Sequence, residues 1–206
     1  IEILRQWIKA GASYPVHWAY RTIAPPVPPK LKDQARARNA IDRYVFAKLE
    51  SAKQRPSPEA DRRTLAKRLH YDLLGLPPEP TRVDVFVKDQ TPKAYSKLVD
   101  ELLRSPHFGE RWGRHWLDMA RYTETAGYEK DKARPNAWRY RDWVIQAIND
   151  ALPYDRFTIE QLAGDLLPEA TGEQRLATAF HRQTLTNTEG GTDQEQWRVA
   201  AVMDRV

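Results

Sequence analysis

Helix-start signals recur along most of this chain, and they restrict what it can fold into more than any other feature. Thr91-Pro92 and Ser105-Pro106 each place a hydroxyl residue suited to an N-cap before a proline at the first helical position. Thr171 and Thr192 each begin a capping box, and the segment Thr81-Arg-Val-Asp84 has the same spacing with Asp in place of Glu. These signals predict a succession of short helices.

Strand signals are nearly absent from the sequence. No segment alternates apolar and polar residues over six positions with turn residues at both ends, whereas apolar residues at helical spacing are frequent, as at Leu65, Leu69 and Leu73. No repeat of fixed period is present, which argues against a solenoid. The sequence therefore predicts an all-α fold, a compact multi-helix domain of about eight short helices.

The N-terminal part of the chain is interrupted by a proline-rich segment. A first helix is expected over residues 1–10, ending at Gly11, and the prolines between Pro15 and Pro29 then favour an extended polyproline segment. We expect a preceding domain's tail at 1–20, a linker at 21–38 and a helical domain at 39–206. Amphipathic patterns at both ends indicate an excerpt of a longer protein.

Composition narrows the class of protein. Hydrophobic residues make up 41% and the net charge is +5, which fits a globular chain with solvated helix faces. Basic residues alternate with acidic ones, so we expect no nucleic-acid partner. There is no cysteine, hence no disulfide, thiolate metal site or haem-attachment motif. No apolar run is long enough to predict a transmembrane segment.

One row of polar residues suggests a reaction centre. Arg111, His115, Asp118 and Tyr122 follow one another at helical-neighbour spacing, beside a stripe of apolar residues expected to be buried. An imidazole between a carboxylate and a phenol is how a general base is oriented. The same spacing also arises in an internal salt-bridge ladder. His115 and Asp118 are the catalytic candidates of this row. The apolar stripe beside it comprises Phe108, Trp112, Trp116, Met119 and Thr123.

A second cluster surrounds Gly190-Gly191, just before the last expected helix. His181, Glu189 and Asp193 lie close to the glycine pair in sequence. Adjacent glycines and a helix start favour an anion, whereas the carboxylates favour a cation such as Ca²⁺ or Mg²⁺. A plain turn followed by a helix cap explains the same residues, and we assign no metal site. Glu189 and Asp193 are kept as catalytic candidates.

The third cluster interleaves arginines with aromatic residues. Arg134, Arg139 and Arg141 alternate with Trp138 and Tyr140. Such arginines can stack on rings and clamp carboxylates or haem propionates, although arginines beside core aromatics often simply extend to solvent. Arg141 is the cofactor-binding candidate of this cluster.

Long blocks of the chain resemble a known family. The segments "NAIDRYVFAKLE", "SPHFGERWGRHWLDMARYTETAGYEKD", "AWRYRDWVIQAINDALPYDRFTIEQLAGDLLP" and "TLTNTEGGTDQEQWRVAAVMDRV" resemble, in order, the planctomycete cytochrome-c-associated family of domains of unknown function. The opening "LRQWIKAGASYPVHWAY" looks like the tail of a planctomycete-type cytochrome c domain.

This resemblance implies a multi-domain extracytoplasmic (for example periplasmic) protein, with haem c attached outside this chain and the other domains of the same protein as partners. His115 or His181 is then expected to serve as a haem ligand, a redox partner protein is possible, and the function is haem-associated electron transfer. The alternative is a hydrolase or oxidoreductase domain acting on polysaccharide through the His/Glu/Asp cluster, with or without a divalent metal.

Overall fold

The computed structural model describes residues 1–14, 16–127, 131–185 and 193–203. Within these ranges the chain is all-helical, as predicted, with ten α-helices instead of about eight, and its one β feature is an isolated bridge between Thr125 and Ala133. None of the described helices combines the length and apolar character needed to cross a bilayer. The helices are α1 Glu2–Lys9, α2 Ala40–Ser51, α3 Arg62–Leu74, α4 Pro80–Lys88, α5 Ala94–Leu103, α6 Pro106–Met119, α7 Trp138–Asn149, α8 Tyr154–Ala163, α9 Gly172–Ala177 and α10 Gln194–Met203.

The chain divides into two compact units, and the first comprises Ile1–Glu59. Helix α1 ends before Gly11, which has the positive φ of +91° expected of a helix-terminating glycine. Helix α2 begins after Asn39, whose side chain accepts a hydrogen bond of 3.0 Å from the backbone of Asp42. Helix α2 belongs to the same compact unit as the residues before it. The domain boundaries expected after residues 20 and 38 stay predictions.

The second unit, Ala60–Val206, begins with α3, α4 and α5 around a small apolar core. The buried residues of this core are Ala66, Phe86, Ala94, Leu98 and Leu102. Arg62 of α3 lies 4.2 Å from the centre of the Phe86 ring and donates to the backbone carbonyls of Phe86 and Asp89. This arginine therefore connects the start of α3 to the end of α4.

The larger core of this unit forms where α6 packs along α7 and where α8 and α9 cover them. Its buried residues are Leu117, Ala120, Tyr140, Trp143, Val144, Ala147, Phe157 and Ala177. Helical spacing in the sequence predicts one apolar stripe on α7 from Tyr140, Val144, Ala147 and Ile148; the first three are buried and Ile148 is partly buried against the same core. The rings of Trp143 and Phe157 stack with their centres 5.3 Å apart, which joins α8 to this face.

The buried face of α6 differs from the predicted aromatic stripe. Trp116 packs against the larger core, but Trp112 is 43% exposed and Met119 is 69% exposed. The buried face instead contains Gly109, Gly113 and Leu117. Because the two glycines have no side chains, α7 can approach the α6 backbone closely, and this approach turns Trp112 and Met119 toward solvent.

The predicted helix starts are partly confirmed. Ser105-Pro106 begins α6 as expected, and Thr171 forms the predicted capping box with Gln174. Thr81 does not cap a helix, because α4 already begins at Pro80 with the φ that proline favours. Thr91 also lies outside its helix: the Ala94 amide donates to the Thr91 carbonyl in a turn, and α5 begins at Ala94.

Candidate functional site

The polar row on α6 does not form a hydrogen-bonded relay. His115 and Asp118 are both exposed, and no hydrogen bond or ion pair joins them in the described part of the chain. Arg111 lies against Gly75, close enough that a Cβ on that glycine would be 2.8 Å from the arginine Cδ. The His115 ring lies 5.5 Å from the ring of Trp112, centre to centre. The row therefore provides an exposed imidazole beside an indole rather than an oriented base.

Tyr122, at the end of this row, belongs to a different network. Its phenol donates to Glu124 at 2.9 Å, and Arg141 donates to the same carboxylate at 2.9 Å and to Asp142 at 3.0 Å. Burial, and then the hydrogen bond to Glu124, raises the pKa of Tyr122 to about 12. The hydrogen bond to Asp142 raises the pKa of Arg141. Since carboxylates already bind its guanidinium, Arg141 is poorly placed to take a cofactor.

His181 lies in a 3₁₀ turn, Thr178–Arg182, that packs against α8. Its Nε2 is 3.1 Å from the carbonyl oxygen of Leu162, and its ring meets the ring of Phe180 edge-on at 5.7 Å. Its Nδ1 is buried and has no partner among the described residues. These contacts indicate that His181 connects the 3₁₀ turn to α8. One ring nitrogen is buried and the other contacts the Leu162 carbonyl, so neither is well placed to bind an external iron.

Asp193 acts as the N-cap of α10. Its Oδ1 accepts hydrogen bonds from the backbone amides of Glu195 and Gln196, at 3.1 and 3.0 Å. The cap expected at Thr192 falls outside the described residues, as do Glu189 and the glycine pair.

The predicted residues are therefore not brought together by any contact in the described ranges. No hydrogen bond, ion pair or ring contact there links any two of His115, Asp118, His181 and Asp193. The same ranges contain no group of three or more His, Asp or Glu residues with the arrangement of a metal site.

The structure does bring together arginines from distant parts of the sequence. A cavity of about 390 Å³ lies between residues 134–140 and residues 176–183, and we call it the arginine cleft. It is lined by Arg134, Pro135, Asn136, Ala137, Arg139, Tyr140, Leu176, Ala179, Arg182 and Gln183. None of these lining residues is acidic.

The electrostatics of the arginine cleft are positive. Burial lowers the pKa of Arg134, and the nearby charge of Arg182 lowers it further. Helix α7 begins at the cleft, with no acidic residue in its first turn and no side-chain cap, so the positive end of its dipole adds to the arginine charges. An anion is the species that this environment stabilises.

The arginine–aromatic cluster identified from the sequence contributes Arg134 and Arg139 to the cleft, and Arg141, the candidate chosen from it, is not among the lining residues. Arg139 lines the cleft, whereas Arg141, two residues further along the same helix, points into the Tyr122 network. Residues two apart lie on different faces of a helix. Arg139 and Arg141 are therefore not expected to face the same site. No sequence pattern distinguished Arg182 apart from its position next to His181.

These features define an all-helical domain with an exposed imidazole beside an indole and a separate basic cleft. The chain belongs to the family PSCyt2, described as a protein of unknown function (DUF1549), whose profile matches residues 40–206. No curated protein and no solved structure matches the chain. This match confirms the resemblance to a family of domains of unknown function. The planctomycete origin and the cytochrome association stay predictions.

Proposed function

We propose that this domain is a helical module of an extracytoplasmic multi-domain c-type cytochrome-like protein and takes part in haem-associated electron transfer. The family name PSCyt2 supports a cytochrome association. Because the chain has no cysteine, it offers no thiol for covalent haem attachment. The haem would therefore be carried by another domain of the protein, and this module would contact it from outside.

One observation carries the proposal: His115 is the histidine whose imidazole has no polar partner in the described part of the chain. The chain contains five histidines, and the described structure gives each of the other four a polar contact. His17 accepts from the Ala19 amide, His70 is buried against a helix carbonyl, His107 contacts Glu110 and His181 contacts Leu162. No hydrogen-bond partner of His115 is present in the described ranges.

An exposed imidazole without partners is suited to binding iron presented by a neighbouring domain. Neutral imidazole is a common axial ligand, and the ligand identity sets the haem potential. A haem bound there would supply the one-electron couple. His115 would hold the iron, and the adjacent ring of Trp112, whose centre lies 5.5 Å from the imidazole, would limit the access of water to it.

The test compares two histidines of the same helix in the full-length haem-loaded protein. His115→Ala is expected to change the visible and electron paramagnetic resonance spectra toward a lower-coordinate haem and to shift the midpoint potential. His107→Ala is the matched control, because His107 is also exposed on α6 but contacts Glu110. Unchanged axial ligation in His115→Ala contradicts the proposal, provided both variants unfold at the wild-type temperature.

The enzymatic alternative, a hydrolase or oxidoreductase acting on polysaccharide, stays a prediction. Among its expected catalytic residues, His115, Asp118 and Asp193 share no contact in the described structure, and Glu189 lies outside it. No observation at these residues favours that reaction over haem association.

A further inference from the structure

We propose that the arginine cleft binds a small organic carboxylate that also carries hydroxyl groups, with the size and chemistry of a sugar acid. This site is separate from His115 and does not depend on haem association. It rests on the charge of the cleft, on its apolar walls and on an unpaired acceptor in its lining.

Two of the three arginines that line the cleft have no carboxylate partner among the described residues. Arg63, Arg82 and Arg198 each pair with a carboxylate, at 2.7, 2.5 and 2.6 Å. Arg139 and Arg182 make no ion pair in the described ranges, and none of the residues in the cleft lining is acidic. Two arginines that line one cavity, with no counterion in the described part of the chain, are suited to a carboxylate, which each can bind through two parallel hydrogen bonds.

The walls of the cleft are suited to the carbon face of a ring. Leu176, Ala179 and Pro135 contribute apolar surface to the cleft, whereas Tyr140 lies behind it and is fully buried. The Tyr140 hydroxyl is bound by Gln161 at 2.6 Å and is not available to a ligand. Small-molecule sites combine a mostly apolar lining with a few polar groups, and 390 Å³ lies in the range that such ligands need.

Gln183 makes an inorganic anion a poorer fit than a hydroxylated organic one. This residue lines the cleft and is 3% exposed, and its Nε2 donates to the carbonyl of Ala179 at 3.1 Å. Its Oε1 is buried and receives no hydrogen bond from any described residue. A buried acceptor without a donor is costly, and a rotation of the Gln183 side chain toward the cleft would let a ligand hydroxyl supply the missing donor.

The cleft is held in shape before any ligand binds. Arg134 donates to the carbonyls of Arg182 and Thr184, at 3.0 and 2.5 Å, across 48 and 50 residues of sequence. These bonds connect the segment before α7 to the segment after α9. A preformed site loses less conformational entropy on binding than a flexible one.

The test uses calorimetric titration of the chain with D-glucuronate, D-glucose and acetate. Glucose has the same ring as glucuronate but no carboxylate, and acetate has the carboxylate but no hydroxyls. We expect saturable binding of glucuronate, no detectable binding of glucose and binding of acetate at least about tenfold weaker than that of glucuronate.

Variants then assign the binding to the cleft. Arg182→Gln is expected to weaken glucuronate binding about tenfold, as the loss of a charge-assisted bond predicts. Arg175→Gln is the matched control, because Arg175 is exposed on α9 and does not line the cleft. Gln183→Leu should weaken glucuronate binding and leave acetate binding unchanged. Thermal unfolding of each variant shows whether the fold is retained.

Three results would overturn the proposal. The first is equal binding of glucuronate and glucose, or of neither. The second is an equal effect of Arg182→Gln and Arg175→Gln in folded protein. The third is equal affinity for acetate and glucuronate, which would mean that the cleft binds any carboxylate and that Gln183 selects nothing.

Discussion

Tyr140 donates a hydrogen bond of 2.6 Å from its phenol to Oε1 of Gln161, and both side chains are buried. The same oxygen accepts the indole N–H of Trp116 at 2.8 Å, and the Gln161 Nε2 donates to the carbonyl of Phe157 at 3.0 Å. One amide thus joins α6, α7 and α8 within the larger core. Because buried polar groups must be paired, this amide fixes how the three helices meet.

Gln161→Leu is expected to lower the free energy of unfolding by roughly 2–3 kcal/mol, since it removes the acceptor of the buried Tyr140 phenol and of the Trp116 indole and the donor to the Phe157 carbonyl. Tyr140→Phe is expected to cost only about 1 kcal/mol, because Gln161 keeps its bond to Trp116. Urea denaturation of both variants measures the difference. A larger loss for Tyr140→Phe would show that the amide is not the centre of the network.

The close approach of α6 and α7 predicts a steric effect at Gly109. A Cβ on this glycine would lie 2.4 Å from the carbonyl oxygen of Ile145 and 2.6 Å from the Asn149 side chain, and the Gly109 amide donates to Asn149 at 2.7 Å. We expect Gly109→Ala to destabilise the protein by roughly 1–3 kcal/mol through overpacking.

Gly172→Ala is the control for this change, because a Cβ there meets nothing within 4 Å. It should be neutral or raise stability by up to about 1 kcal/mol, as the unfolded chain loses freedom. Thermal unfolding compares the two alanine variants. Similar unfolding temperatures would mean that α6 and α7 do not pack as closely as the structure shows.

Tyr122 predicts a loss of stability in alkali. Its pKa is about 12 in the folded protein against an ordinary value of 10.0, mainly because of burial. The folded state therefore holds the phenol proton more tightly, so this contribution is complete below pH 10 and is lost as the pH rises toward 12. The Tyr122→Phe variant should lose less stability than the wild type over this interval.

Ultraviolet absorbance of the phenolate provides a direct check on Tyr122. The difference between the wild-type and Tyr122→Phe titrations isolates this tyrosine among the nine in the chain. A midpoint near the ordinary value would contradict both the burial of the phenol and its bond to Glu124.

Arg62 predicts a difference between two adjacent arginines. It donates to two backbone carbonyls and lies over the Phe86 ring, which a lysine cannot reproduce because it lacks the planar fork. We expect Arg62→Lys to cost roughly 1–2 kcal/mol of unfolding free energy. Arg63→Lys, at an exposed pair with Asp84, should change it by less than about 0.5 kcal/mol. Chemical denaturation distinguishes the two, and equal effects would assign Arg62 an ordinary surface role.

The helices themselves were predictable from sequence because their signals act over a few residues. Ser105-Pro106 and Thr171 mark true helix starts, since a cap bond or a fixed φ is satisfied within one turn. Thr81 was predicted wrongly as a cap because the preceding residue, Pro80, is already the first residue of α4. Asp84, the expected partner in that capping box, instead pairs with Arg63.

The site was less predictable. The spacing of His115, Asp118 and Tyr122 permitted a relay, but spacing does not decide which way each side chain points. The Tyr122 phenol donates to Glu124, which also accepts from Arg141. Asp193 caps the start of α10. His115 was predicted as a catalytic and haem-ligand candidate, and only the tertiary structure shows that no described residue hydrogen-bonds to its ring.

The sequence by itself determined the helical class, the starts of α6 and α9 and the buried stripe of α7, because capping and amphipathic spacing are local and repeat along the chain. Tertiary structure decided which face of α6 is covered, since Gly109 and Gly113 matter only once α7 lies against them. It also decided that Arg134 and Arg182 meet across 48 residues of sequence. Contacts at that separation depend on the path of the chain between them, which no short pattern contains.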